Sequence, residues 1–148
     1  MNKVFMQLGS ILFFALIAPQ AALAKTKCTP PQEFQPPLCQ LVLPPIVSVT
    51  IEENSPDPPS NPATAADCSG FVVTDRQVRR YLTRAKRVPY GADSTLDWSP
   101  CTASGSVRFE DGQSARWTLS PLRVGSVVFD KRPEWVLYCP NCTDEPFY

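Results

Sequence analysis

The chain has 148 residues, 14 Lys and Arg against 14 Asp and Glu, and no histidine. Net neutrality removes any global attraction to nucleic acid. The missing histidine takes away the base of Ser-His-Asp and Cys-His nucleophiles and the commonest ligand of catalytic zinc, and Thr143 after Cys142 rules out a Cys-x-x-Cys-His haem attachment.

Residues 1–24 read as a secretory signal. Lys3 supplies the positive start, and Phe5, Ile11, Leu12, Phe13, Phe14, Leu16 and Ile17 supply an apolar stretch. Ala22-Leu23-Ala24 then offers the small-x-small site that a signal peptidase cuts. Gln7, Gly9 and Ser10 interrupt the apolar run, which makes it a poor membrane span. Cleavage after Ala24 is expected to give a periplasmic or secreted protein with no integral membrane segment. No cysteine follows the cut directly, so no lipid anchor is expected. Losing Lys3 leaves a small excess of negative charge. The cysteines of the exported chain are Cys28, Cys39, Cys68, Cys101, Cys139 and Cys142. An even number in so short an exported chain predicts a disulfide framework.

Residues 25–65 read as a proline-rich arm or linker. Each proline fixes its own φ and lacks a donor, so Pro30, Pro31, Pro36 and Pro37 exclude helix or central strand around them. Cys28 and Cys39 bracket those prolines and are expected to staple the segment locally. The functional counterpart is a presented loop, with Phe34 exposed for a partner. The β-branched run from Ile46 to Ile51 suits an edge strand. From Glu53 to Ala66 an extended, solvated linker is expected. Pro56, Pro59 and Pro62 have the spacing of proline-recognition ligands, but a plain linker is the simpler reading.

Residues 66–148 are expected to form the compact unit. Its predicted class is α+β: one amphipathic helix packed on a small antiparallel sheet of about four strands, stapled by disulfides. Residues 70–73 suit a short lead-in strand. Thr74-Asp75-Arg76-Gln77 matches the capping box and predicts a helix start. Val78, Tyr81, Leu82 and Ala85 then fall on one face, and Pro89 and Gly91 stop the helix, which is expected over 74–88. Its outer face carries Arg76, Arg79, Arg80, Arg84, Lys86 and Arg87. A hairpin follows, with Glu110-Asp111-Gly112 as its loop and Gly112 at the left-handed position. That loop sets Phe109 opposite Gln113, Val107 opposite Ala115, Gly105 opposite Trp117 and Ala103 opposite Leu119. Val107, Phe109, Ala115, Trp117 and Leu119 then share one face, and Ser106, Arg108, Ser114 and Arg116 the other. A shorter Asp111-Gly112 loop would scramble both faces. Strands over 124–129 and 134–139, joined by a turn at 130–133, complete the predicted sheet.

Several motifs admit both a chemical and a structural reading. Cys139-Pro140-Asn141-Cys142 resembles a thiol-disulfide motif, but redox chemistry needs the first cysteine at a helix N-terminus. Pro146 lies among the few residues that follow, so a structural disulfide is preferred, within the pair or from it to Cys101 or Cys68. Cys68, Cys101, Cys139 and Cys142 supply four thiolates, yet only one pair has zinc-ligand spacing. No metal and no cofactor are expected. In Asp97-Trp98-Ser99-Pro100-Cys101, Trp98 is expected to fill a core gap, Ser99-Pro100 to turn and Cys101 to anchor. Asp93 and Asp97 as paired carboxylates acting on a glycan are the chemical alternative, and Asp97 as a turn or cap residue is the simpler one. Asn141-Cys142-Thr143 matches a glycosylation pattern that matters only in a eukaryotic secretory pathway.

The run Asp97-Trp98-Ser99-Pro100-Cys101, then Ala103-Ser104-Gly105, Phe109, Asp111-Gly112 and Trp117, and finally Leu137-Tyr138-Cys139-Pro140-Asn141-Cys142, resembles a group of small exported bacterial proteins. The likeness covers the C-terminal part of the chain, the helix over 74–88 included. It implies export in a Gram-negative bacterium and carries no catalytic residue.

The expected function is that of an exported, non-enzymatic binding protein holding a protein partner in the bacterial envelope, for instance as an inhibitor or immunity-type protein. Arg76, Arg79, Arg80, Arg84 and Arg87 on the helix and Arg108 and Arg116 on the hairpin are the candidate partner-binding residues. The solvated alternative pairs part of the basic face with Asp130, Glu134, Asp144 and Glu145. A thiol-redox or metal-handling protein using Cys139 and Cys142, and a structural part of an envelope assembly tethered by the arm, are the competing readings.

Overall fold

The computed structural model describes residues 27–54 and 68–148. The signal segment and the greater part of the expected 53–66 linker lie outside the described residues. Among the described residues six strands form one sheet: β1 (Ile46–Asn54), β2 (Lys86–Arg87), β3 (Ala103–Phe109), β4 (Ser114–Leu119), β5 (Val124–Phe129) and β6 (Trp135–Tyr138), in the order β1-β3-β4-β5-β6-β2. All pairs are antiparallel. The α-helix α1 (Asp75–Arg84) supplies the other layer.

The central hairpin has the expected register. Ala103 faces Leu119, Gly105 faces Trp117 and Val107 faces Ala115. The Phe109 N–H donates to the Gln113 carbonyl at 2.9 Å, and Gly112 takes φ +83° in the loop between them. Alternation then decides the two faces. Ala103, Val107, Phe109, Ala115, Trp117 and Leu119 are buried, whereas Ser104, Ser106, Arg108, Ser114, Arg116 and Thr118 are half-buried or exposed. Gly105 is required by close approach: a Cβ there would lie 2.0 Å from the Thr50 carbonyl oxygen and 2.8 Å from the Trp117 ring.

The sheet has six strands rather than about four because both of its edges are extended. On one side, β1 adds to β3, with register shifts between Ile46 and Ser48 and between Ile51 and Glu53. The β-branched run therefore makes the edge strand its composition suited, and the sheet reaches upstream of 66–148 into the proline-rich segment. On the other side, Lys86 and Arg87 pair with Tyr138 and Leu137 as β2.

That second pairing shortens the helix. Residues 85–88 do not continue it: Ala85 turns extended at ψ 153°, and the Val88 N–H donates to the Val136 carbonyl at 2.9 Å. Pro89 disfavours helical backbone at Val88, and the sheet edge offers bonds that a last helical turn would leave to water. The helix start is as expected. The Gln77 N–H donates to the Thr74 hydroxyl at 3.4 Å, and the Gln77 carboxamide oxygen accepts the Thr74 N–H at 2.7 Å. Val78, Tyr81, Leu82 and Ala85 are buried against the sheet.

Residues 70–73 form no strand. Phe71 and Val73 are buried in the core, and the Asn54 carboxamide stands in for a pairing strand. It donates to the Val73 carbonyl and accepts the Val73 N–H, both at 2.9 Å. The C-terminal segment folds back over the helix. Phe147 packs on Tyr81 with ring centroids 5.4 Å apart, and the Tyr148 N–H donates to the Pro121 carbonyl at 2.9 Å.

Three disulfides join Cys28 to Cys39, Cys68 to Cys101 and Cys139 to Cys142. The first is the local staple expected from the spacing, and the other two settle the open alternatives for the remaining four cysteines. Among the described residues no helix is long and apolar enough to cross a membrane.

Candidate functional site

The candidate arginines do not form one surface. Arg76, Arg79, Arg80 and Arg84 lie on α1, Arg87 lies on β2, and Arg108 and Arg116 lie on β3 and β4, on the sheet face opposite the core. Most are engaged by their own chain. The Arg79 guanidinium bonds Asp75 at 2.8 Å and donates to the carbonyls of Ile46 and Val47 at 3.0 and 3.1 Å, which clips the helix to the start of β1. Arg80 is bonded to Asp144, and Arg84 stands 4.0 Å from the same carboxylate. Arg87 lies over the Trp135 ring, 5.0 Å from its centroid, and Arg116 pairs with Glu52 at 3.3 Å. Of the four acidic partners expected for the basic face, Asp144 forms ion pairs, and Glu145 contributes its carbonyl to the Gln77 side chain at 2.7 Å.

A different feature presents itself to solvent. Residues 27–40 form a miniature hairpin closed by the Cys28–Cys39 disulfide. The Thr29 N–H donates to the Leu38 carbonyl at 2.8 Å, and Gln32 and Gln35 exchange bonds of 2.9 and 3.2 Å across a turn made by Glu33 and Phe34. Pro30 and Pro31 on one arm and Pro36 and Pro37 on the other give no ladder donors and hold φ fixed, so the arms are stiff between two bonded ends. The base is welded to the sheet. Cys39 and Arg87 exchange N–H to carbonyl bonds of 2.8 and 2.9 Å, which continue the sheet beyond β2. At the tip, Phe34 is 86% exposed. The sequence pointed to this loop as the alternative use of the staple, and the geometry places its aromatic ring in solvent.

The remaining motifs are distributed as follows. Cys139 and Cys142 are both buried and bonded to each other, with no helix after them. Among the described residues no group of His, Cys, Asp and Glu has the arrangement of a metal site. Trp98 does not fill a core gap. It is 81% exposed, because Trp117 from β4 already occupies the core and the Cys68–Cys101 disulfide holds Cys101 so that the residues before it run over the outside. Asp93 and Asp97 line one cleft together with Trp98, a proximity that sequence spacing did not establish. No family model matches the chain, and neither a curated protein nor a solved structure matches it.

Proposed function

We propose that the protein is an exported, non-enzymatic binding protein that grips a protein partner in the bacterial envelope, as an inhibitor or immunity-type protein does. The observation that carries this reading is Phe34, a large apolar side chain held almost wholly in solvent at the tip of a disulfide-closed, proline-stiffened hairpin. A ring left in water forgoes about 2–3 kcal/mol of burial, which a partner's pocket can recover. A loop that is already rigid loses little entropy on docking. Central aromatic anchors of this kind dominate many interfaces.

The helix arginines are a weaker choice, since Arg79, Arg80 and Arg84 hold groups of their own chain. The redox or metal-handling reading of Cys139 and Cys142 finds less support, because a buried disulfide is shielded from an attacking thiolate.

A capture experiment from periplasmic extract tests the reading, comparing the native chain with Phe34→Asp, Arg76→Glu and Arg108→Glu variants. Phe34→Asp is expected to weaken the captured complex by about 30-fold or more, the cost of losing an anchor worth about 2 kcal/mol, while the two arginine variants retain it. Equal retention by native and Phe34→Asp protein would exclude the hairpin as the contact.

A further inference from the structure

A cleft of about 350 Å³ opens where the loop before Cys101 overhangs the outer face of β4, β5 and β6. That volume lies within the range of small-ligand sites. Three acidic residues, Asp93, Asp97 and Glu134, line it, and no Lys or Arg does. Trp98, whose side chain is largely exposed, is part of its lining. Thr118 and Ser126 supply hydroxyls from adjoining strands. Ser120, 9% exposed, lines it too, and its hydroxyl is buried without a hydrogen-bond partner.

The overhanging wall is anchored. Gly91 turns the chain at φ +80°, the Ala92 N–H donates to the Pro89 carbonyl at 3.1 Å, and the Thr95 hydroxyl donates back to the Ala92 carbonyl at 3.1 Å. The Ser99 hydroxyl accepts the Cys101 N–H at 3.2 Å, and Cys101 is tied to Cys68. Trp98 therefore sits on a braced loop rather than on a loose end.

We infer that this cleft binds a saccharide carrying amino groups. Each part of the lining answers one part of such a ligand. The flat indole offers an apolar surface to the C–H face of a sugar ring. Serine and threonine hydroxyls both donate and accept, as ring hydroxyls require. Three carboxylates with no cation among them favour a positively charged guest, and an ammonium on the ring supplies that charge through charge-assisted hydrogen bonds. A lysine side chain would satisfy the carboxylates and leave the hydroxyls unmatched; a neutral sugar would do the reverse. No residue of the 27–40 hairpin lines the cleft, so this inference stands apart from the partner-binding reading.

Titration calorimetry and tryptophan fluorescence on the oxidised, full-length exported chain test it. The probes are a glucosamine oligosaccharide below the pKa of its amine, the same oligosaccharide N-acetylated, and trilysine. The amino oligosaccharide is expected to bind, to blue-shift the emission of exposed Trp98, and to weaken with added salt. Trp98→Ala and Asp97→Asn are each expected to lower its affinity about tenfold or more. Both side chains lie outside the core, and an unchanged thermal midpoint confirms that the variants fold. Absence of binding, equal binding by native and Trp98→Ala protein, or equal affinity for the acetylated sugar or trilysine would overturn the inference.

Discussion

Single residues show how closely the interior is fitted. The Tyr81 hydroxyl donates to the Arg123 carbonyl at 3.0 Å, with the Leu137 carbonyl 3.3 Å away, which ties the helix to the β4–β5 turn and to β6. Arg123 itself adopts φ +63°, a strained conformation for a residue with a side chain. Its carbonyl also accepts the Cys139 N–H at 3.0 Å, and its guanidinium donates to the Pro140 carbonyl at 3.0 Å, bonds that help to hold it there. Burial, with a smaller contribution from Tyr138, pushes the Tyr81 phenol well above the usual tyrosine range. The sign follows from linkage. The folded state keeps this proton where the unfolded chain releases it, so the contribution to stability is complete at neutral pH and falls as pH rises above about 10. Tyr81→Phe is expected to cost about 1 kcal/mol at neutral pH and to flatten the alkaline fall. Urea melts at stepped pH check both. An alkaline limb identical to that of the native chain would contradict the assignment.

At the scale of elements, local chemistry and neighbouring strands share control. The helix start is set by four consecutive residues, and Gln77 does double duty there. Its side-chain oxygen accepts from Thr74, and its side-chain nitrogen donates to the Glu145 carbonyl at 2.7 Å, which links the cap to the C-terminal segment. Thr74→Ala is expected to destabilise the fold by about 1 kcal/mol, read as a lower urea midpoint with unchanged slope. The β3–β4 register was legible for a similar reason: Gly112 at the left-handed position selects one loop length, and one loop length selects every pair beyond it. The helix end was not legible. Lys86 and Arg87 continue the basic helical face in sequence, yet β6 on one side and Cys39 on the other draw them into the sheet.

For the whole molecule, three disulfides act on one modest core. Their sequence separations differ, at 33 for Cys68–Cys101, 11 for Cys28–Cys39 and 3 for Cys139–Cys142. Loop-closure entropy ranks them in that order, at about 4, about 3 and under about 2 kcal/mol. Against a domain stability of about 5–15 kcal/mol, the first is the one whose loss matters most. Paired Cys→Ala variants followed by denaturant melts are expected to reproduce the ranking. The Cys28–Cys39 pair has a second readout, because losing it is expected to loosen the loop carrying Phe34 and to weaken partner capture even under conditions where the variant stays folded. A ranking led by Cys139–Cys142 would show that something other than closure of the unfolded chain governs these bonds.

Sequence alone determined whatever is decided within a few residues: the helix cap, the hairpin loop with its two faces, the edge-strand character of Ile46 to Ile51, and the local Cys28–Cys39 staple. Each depends on backbone preference or on alternation, which neighbours impose on one another directly. Tertiary structure decided the rest. It placed β1 and β2 at opposite edges of the sheet, spread the arginines over two layers, filled the core with Trp117 and so left Trp98 outside, and set Asp93, Asp97 and Glu134 around one cleft. These outcomes depend on competition between distant segments for the same space and the same hydrogen-bonding edges. No spacing along the chain records who wins that competition.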